Sequence, residues 1–120
     1  MSPVRHKGTM EITYANSRIE KICTDEKRTR KELGQIGAHI LSTRLDQLTD
    51  AVHLEELRFL PGNYHELTGD RWGELAVSLQ GLKRLIFKPN HELRPEKFDG
   101  GLNWSQVTAV TIIEIIDYHK

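Results

Sequence analysis

Residues 107–117 read Val-Thr-Ala-Val-Thr-Ile-Ile-Glu-Ile-Ile-Asp, a β-branched run that no other stretch of the chain matches. Side chains of a strand alternate between its two faces. Strict alternation places Val107, Ala109, Thr111, Ile113, Ile115 and Asp117 on one face, and Val110, Ile112, Glu114, Ile116 and Tyr118 on the other. A strand that is apolar on both faces belongs inside a sheet, with a neighbour on each side. The rest of the chain must therefore supply those neighbours and a layer to cover at least one face.

The neighbours are found in the second half. Tyr64 to Leu67 reads as a short strand, and 68–73 as a polar turn. Leu75, Val77 and Leu79 alternate with Ala76 and Ser78, which is the half-buried strand signature. Gln80-Gly81 makes a tight connection to a further strand, with Leu85 and Phe87 on one face and Arg84 and Ile86 on the other. A long loop, 89–105, carries Pro89, Pro95 and Gly100-Gly101. The covering layer comes from the first half. Glu11-Ile12-Thr13-Tyr14 is strand-like, and Ser17 with Glu20 has the form of a capping box that opens a helix bearing Ile19, Ile22 and Cys23. A basic cluster follows. Leu33, Ile36, Ile40, Leu41, Leu45 and Leu48 then recur at helical spacing. A helical turn is expected at 53–57, and Pro61-Gly62 closes the helical half. Helices followed by strands indicate an α+β fold. The expected architecture is an N-terminal strand and two to three helices packed on a twisted antiparallel sheet of about four to five strands.

At 120 residues the chain is one domain. Residues 10–120 form the expected domain, and 1–9 an N-terminal extension, either added or disordered. No apolar run approaches the ~18 residues of a membrane span, and no apolar block follows Arg5, His6 and Lys7, so neither membrane association nor a secretory leader is expected. The single cysteine, Cys23, allows no internal disulfide and suits a cytoplasmic location. Net charge is zero, which argues against a strongly basic nucleic-acid binder. The balance hides clusters, however: Lys27, Arg28, Arg30 and Lys31 in one place, and Arg71, Lys83, Arg84 and Lys88 in another.

Several residues can carry acid–base chemistry. Asp117, Tyr118 and His119 end the interior strand, His65 lies on the first strand of the second half, Arg84 lies mid-strand, and Arg71 sits in the polar turn. Metal-independent RNA cleavage needs a base for the 2′-hydroxyl, cations for the phosphate and an acid for the leaving 5′-oxygen. Histidine titrates near neutrality and fits either proton role. Arginine matches phosphate oxygens with its fork of donors. Spacing alone does not bring these groups together. By pattern alone the tail is a surface strand end, Arg84 a salt-bridged surface residue, His65 structural, and the 27–31 cluster a solvated helix face.

An ordered set of short motifs resembles the HigB branch of the RelE/ParE toxin superfamily, the plasmid-maintenance killer proteins. Leu60-Pro61-Gly62 precedes Tyr64-His65-Glu66-Leu67, and Gly69-Asp70-Arg71-Trp72-Gly73 is similar to that family's Gly-Asp-Arg-Lys-Gly turn. Arg84-Leu85-Ile86-Phe87 is similar to its Arg-(Ile/Leu)-x-Phe strand, and Asp117-Tyr118-His119 to its terminal motif. The resemblance spans Met10 to His119. It implies a RelE-like fold and the toxin of a bacterial type II toxin–antitoxin system: a ribosome-dependent endoribonuclease, or mRNA interferase, working without cofactor or metal. Carried over by motif, His65, Asp117, Tyr118 and His119 are the acid–base or orienting residues, and Arg71 and Arg84 hold the phosphate. Either His119 or Asp117 serves as base with His65 as acid, or the roles are reversed. The implied partners are a HigA-like helix-turn-helix antitoxin, the ribosome and mRNA, with DNA reached only through the antitoxin. Lys27, Arg28, Arg30 and Lys31 are left as contacts for RNA, ribosome or antitoxin. Thr68 stands where many members have lysine, which removes one phosphate contact. Two alternatives accompany this reading: a ParE-like gyrase inhibitor that cuts no RNA, and an inactive homologue that serves only as its antitoxin's regulatory partner.

Overall fold

The structure, a computed structural model, describes residues 9–118; His119 and nearly all of the 1–9 extension lie outside them. Strand β1 (Glu11–Tyr14) leads into helices α1 (Ser17–Thr24) and α2 (Glu26–Asp50), followed by β2 (His65–Glu66), β3 (Leu75–Ser78), β4 (Lys83–Pro89) and β5 (Ala109–Asp117). Short 3-10 turns lie at Leu54–Leu57, Gly69–Arg71 and Trp104–Gln106. The strands form one five-stranded sheet in the order β1-β5-β4-β3-β2. The fold is α+β, with the two helices on one face. β5 is interior, as its double apolar face requires. The sheet is mixed rather than wholly antiparallel, because β1 runs parallel to β5. A parallel neighbour needs a long crossover, and everything between β1 and β5 provides it.

The helices begin where short polar side chains satisfy free backbone N–H groups. The Asn16 side chain accepts from the Ile19 N–H at 3.0 Å, so the cap is one residue earlier than the expected Ser17. Asp25 accepts from the N–H groups of Lys27 and Arg28 and starts α2 at once. The basic cluster therefore lies inside α2 and not before it. The Thr29 hydroxyl sits against the carbonyls of Ile22 and Asp25 and joins the two helices with its buried polar atom satisfied.

α2 is kinked at Gly34 (φ 75°, ψ 175°), which is not helical. The kink changes the phase of the apolar stripe. Leu41 and Leu48 are buried and Leu33, Ile40 and Leu45 pack against the core, but Ile36 is 64% exposed. The core lies between helices and sheet. Leu75, Val77, Leu85, Phe87, Val110 and Ile112 meet Ile19, Leu41 and Leu48 there. Each fully buried side chain of this size contributes about 1.5–3 kcal/mol. The Arg44 Nε–H donates to the Ser78 carbonyl at 2.8 Å, and the Tyr64 hydroxyl bonds the Gln47 side chain at 2.8 Å. No helix among the described residues is long and apolar enough to cross a membrane.

One irregularity changes the faces of β5. Ile86 pairs with Glu114 but Phe87 pairs with Ile112, so Ile113 is an extra residue on β5. Such a β-bulge resets the alternation. Val110, Ile112 and Ile115 face the helical core, and Asp117 continues that face. Thr111, Glu114 and Ile116 take the open face. The strict two-residue alternation expected from the sequence thus fails after Ile112.

Gly62 is the tightest backbone approach. It has φ 121°, and a Cβ there would meet Val77 Cγ2 at 2.7 Å and Arg44 Nε at 2.9 Å. Its carbonyl also accepts from the Ser78 N–H at 2.8 Å. Gly62→Ala is expected to destabilise the fold by about 2–4 kcal/mol through strain and overpacking together, read as a drop in the urea midpoint. Cys23 reports on the helix layer. Burial pushes its thiol from 9.0 up to about 12. At pH 8 the native thiol should react with a thiol reagent on the order of a hundredfold or more slower than the unfolded chain, because the thiolate is the nucleophile. Equal rates in water and in denaturant would count against its burial.

Candidate functional site

The helix-free face of the sheet carries most of the residues that could do chemistry. Cross-strand partners share a face. His65, Ala76, Ile86 and Glu114 form one row across β2, β3, β4 and β5. Ser78, Arg84 and Ile116 form the next. Ala76 and Ile86 are fully buried but stand outside the main core; they are the apolar floor of this face.

Arg71 reaches over that floor. It sits in the turn between β2 and β3, yet its Nη2 is hydrogen-bonded to Glu114 on β5, and its Nη1 donates to Glu74 at 2.8 Å. The arm therefore crosses the sheet above Ile86 and ends between two carboxylates. Its charge is already compensated. A phosphate must compete with those carboxylates or displace them.

Arg84 is held differently. Its Nη1 donates to the carbonyls of Gly81 at 3.1 Å and Lys83 at 2.9 Å. Its guanidinium lies 5.9 Å from the centre of the Tyr118 ring. Among the described residues no carboxylate pairs with it. Tyr118 stays on the ladder through its N–H, which donates to the Leu82 carbonyl at 3.1 Å. The ring is half exposed.

His65 has a defined orientation. Its Nδ1 lies 2.8 Å from the Asn63 carbonyl. A carbonyl can only accept, so Nδ1 carries the hydrogen and Nε2 is left as the working atom. Asn63 is the one non-glycine residue with positive φ (56°) among the described residues. Asparagine tolerates that conformation, which here turns the backbone carbonyl toward the ring. Two strands and one row separate His65 from Arg84, about 12 Å at the backbone from standard sheet spacings. Their side chains can flank a group lying between them.

Asp117 is not part of this face. The bulge sends it to the helix side, where Lys83 Nζ lies 3.6 Å from its carboxylate. It lines a cleft of ~140 Å³ with Arg18, Ile22 and Glu32. The expected grouping of Asp117 with His65 and Arg84 is therefore not formed. His119 lies outside the described residues. Lys27, Arg28, Arg30 and Lys31 occupy the first turns of α2, in the layer behind the sheet. Arg28 pairs with Glu32 at 3.1 Å and Arg30 with Glu26 at 3.3 Å, leaving Lys27 and Lys31 as that cluster's cations without an ion-pair partner among the described residues. No group of three or more His, Cys, Asp or Glu suited to a metal occurs among the described residues.

Sequence reasoning missed Glu74 and Glu114 as partners of Arg71. A signal was present: Glu114 interrupts an apolar interior strand, and a carboxylate in such a place needs a cation. No family model matches the chain, and no curated protein matches it.

Glu74 and Glu114, paired with Arg71, should lower the affinity of this face for anions. The Glu74→Gln, Glu114→Gln double variant removes two negative charges beside Arg71. It should elute from a phosphate resin at higher salt than the wild-type chain, with a steeper salt dependence. Unchanged elution would mean that Arg71 is not accessible to anions.

Proposed function

We propose that the chain is the toxin of a type II toxin–antitoxin pair, with a RelE-like fold, and cuts translated mRNA as a ribosome-dependent endoribonuclease. The observation that carries this reading is that Arg84, which no carboxylate pairs with among the described residues, and the oriented imidazole of His65 lie on the same face of the sheet, the one away from the helices. Arg84, whose guanidinium lies 5.9 Å from the Tyr118 ring centre, is suited to hold a phosphate. His65 presents Nε2 while Nδ1–H is tied to Asn63.

The chemistry needs no cofactor. With Nε2 unprotonated, His65 accepts the 2′-hydroxyl proton; with Nε2 protonated, it donates to the leaving 5′-oxygen. Tyr118 or His119 supplies the complementary proton transfer. Arg84 stabilises the charge that builds on the phosphate oxygens. Asp117, on the other face, acts in this scheme only through the strand end it anchors with Lys83. Arg71 joins when substrate phosphate replaces one of its carboxylates. The ribosome supplies the remaining alignment, and positioning of that kind can account for several kcal/mol of a barrier. The proposed partner is a HigA-like antitoxin, and the proposed location is the cytoplasm.

One observation also favours the second reading, a ParE-like inhibitor of gyrase that cuts no RNA: Arg71 is charge-compensated by Glu74 and Glu114. Tight-promoter expression with mapping of mRNA 5′ ends separates the two. The nuclease predicts cuts within codons of translated messages and growth arrest. Both should be lost in His65→Ala, Arg84→Ala and His119→Ala variants that keep the wild-type melting temperature, with cleavage reduced about 10²–10⁴-fold where a proton-transfer group is removed. Growth arrest with intact messages and blocked supercoiling would establish the inhibitor instead. Expression with no arrest at all would point to the inactive homologue.

A further inference from the structure

Trp72 is an exposed indole on a rigid turn. It is 64% exposed, whereas the chain's other tryptophan, Trp104, is 4% exposed. Trp104 is fully employed: its Nε1–H donates to Glu66 at 2.9 Å, and the Arg58 guanidinium lies 4.0 Å from its ring centre. Trp72 is half employed. The Arg94 guanidinium lies 4.7 Å from its ring centre, and Arg94 is held by Glu96 at 2.9 Å. A ring with a cation against one side and most of its surface in water keeps its second side open.

The turn that carries Trp72 does not float. The Leu67 N–H donates to the Glu74 carbonyl at 2.9 Å, the Trp72 N–H to Gly69 at 3.0 Å, and the Glu74 N–H to Arg71 at 3.0 Å. Arg71, the residue just before Trp72, is clamped to the sheet by Glu74 and Glu114. The indole is thus displayed in a fixed place beside the arginine that lies over the open face. Phe98, Leu93 and Phe59 are also exposed, but no ring stacking or cation contact among the described residues organises them.

We propose that Trp72 is a stacking platform for one unpaired base of bound single-stranded RNA, backed by Arg94. The inference rests on the nuclease reading for the identity of the ligand. Aromatic–base stacking suits that ligand because every base has a π-face. A guanidinium on the far side completes a base–indole–cation stack. The phosphates on either side of the stacked base would then run toward Arg71 and Arg84. Stacking also adds affinity without adding charge, which suits a chain whose net charge is zero.

The two tryptophans make the test direct, because only Trp72 is open to a base. Addition of a short oligoadenylate to the full chain at low salt should quench the exposed tryptophan emission. Trp72→Phe should keep the oligonucleotide affinity and lose the quench. Trp72→Ala should weaken binding, read by anisotropy of a labelled oligonucleotide, about 5- to 100-fold for one lost stacking contact. Oligonucleotide binding that leaves the emission unchanged overturns the platform. So does a Trp72→Ala variant that binds as the wild type does, or a full chain that binds no oligonucleotide. A Trp72→Ala variant that alters only self-association would instead assign the indole to a protein contact. Mapped cleavage in cells reads the nuclease function separately. Cleavage with no quench removes only the platform, and quench with no cleavage removes only the nuclease.

Discussion

The pairing of β5 with both of its neighbours organises the molecule. β5 is bonded to β1 on one side and β4 on the other, so it joins the two ends of the chain. Val110, Ile112 and Ile115 anchor the helical layer. The extra residue, Ile113, then decides which side chains leave the strand on which face. It turns Glu114 toward Arg71 and Asp117 toward Lys83. Without the bulge, the period of two would exchange these assignments. Arg71 would lose its distal carboxylate, and Asp117 would join Arg84 on the open face.

This arrangement gives the open face an unusual charge economy. Arg71 is anchored and neutral in effect, and Arg84 is anchored through neutral carbonyls and keeps its charge. Surface ion pairs add little to stability, about 0–1 kcal/mol. The Glu74–Arg71–Glu114 cluster is therefore better understood as orientation than as stabilisation. A long flexible arm held in one place loses less entropy when it meets a ligand. The same logic applies to His65, whose ring is fixed by the Asn63 carbonyl, and to Trp72, whose turn is fixed by backbone hydrogen bonds.

The helix layer has a separate role. It buries the other sheet face and leaves its own outer surface strongly charged around 26–32. The kink at Gly34 divides α2, so the cationic first turns and the apolar later turns are distinct segments. The cleft lined by Cys23, Thr29, His39 and Asp46 lies beside this division. Partial burial pushes the Cys23 thiol up, and its side chain packs against the core.

Local pattern determined the α+β class, the order of the elements, the interior position of the last strand, and the faces of β3 and β4. Each follows from periodicities that act over a few residues. Arg84 on the face opposite Leu85 and Phe87 was legible for the same reason. The caps were legible to within a residue, because Asn16 and Ser17 compete for one role and geometry selects Asn16. Other features depended on tertiary structure. The parallel pairing of β1 is a contact between the chain's two ends, and nothing in four residues of β1 encodes it. The exposure of Ile36 follows from a kink at one glycine. The β5 bulge has no local signature, since Ile112-Ile113 reads as ordinary strand, and it shows only in the register of β5 against β4. The sequence by itself therefore determined which residues were available for chemistry, and the bulge decided which of them meet.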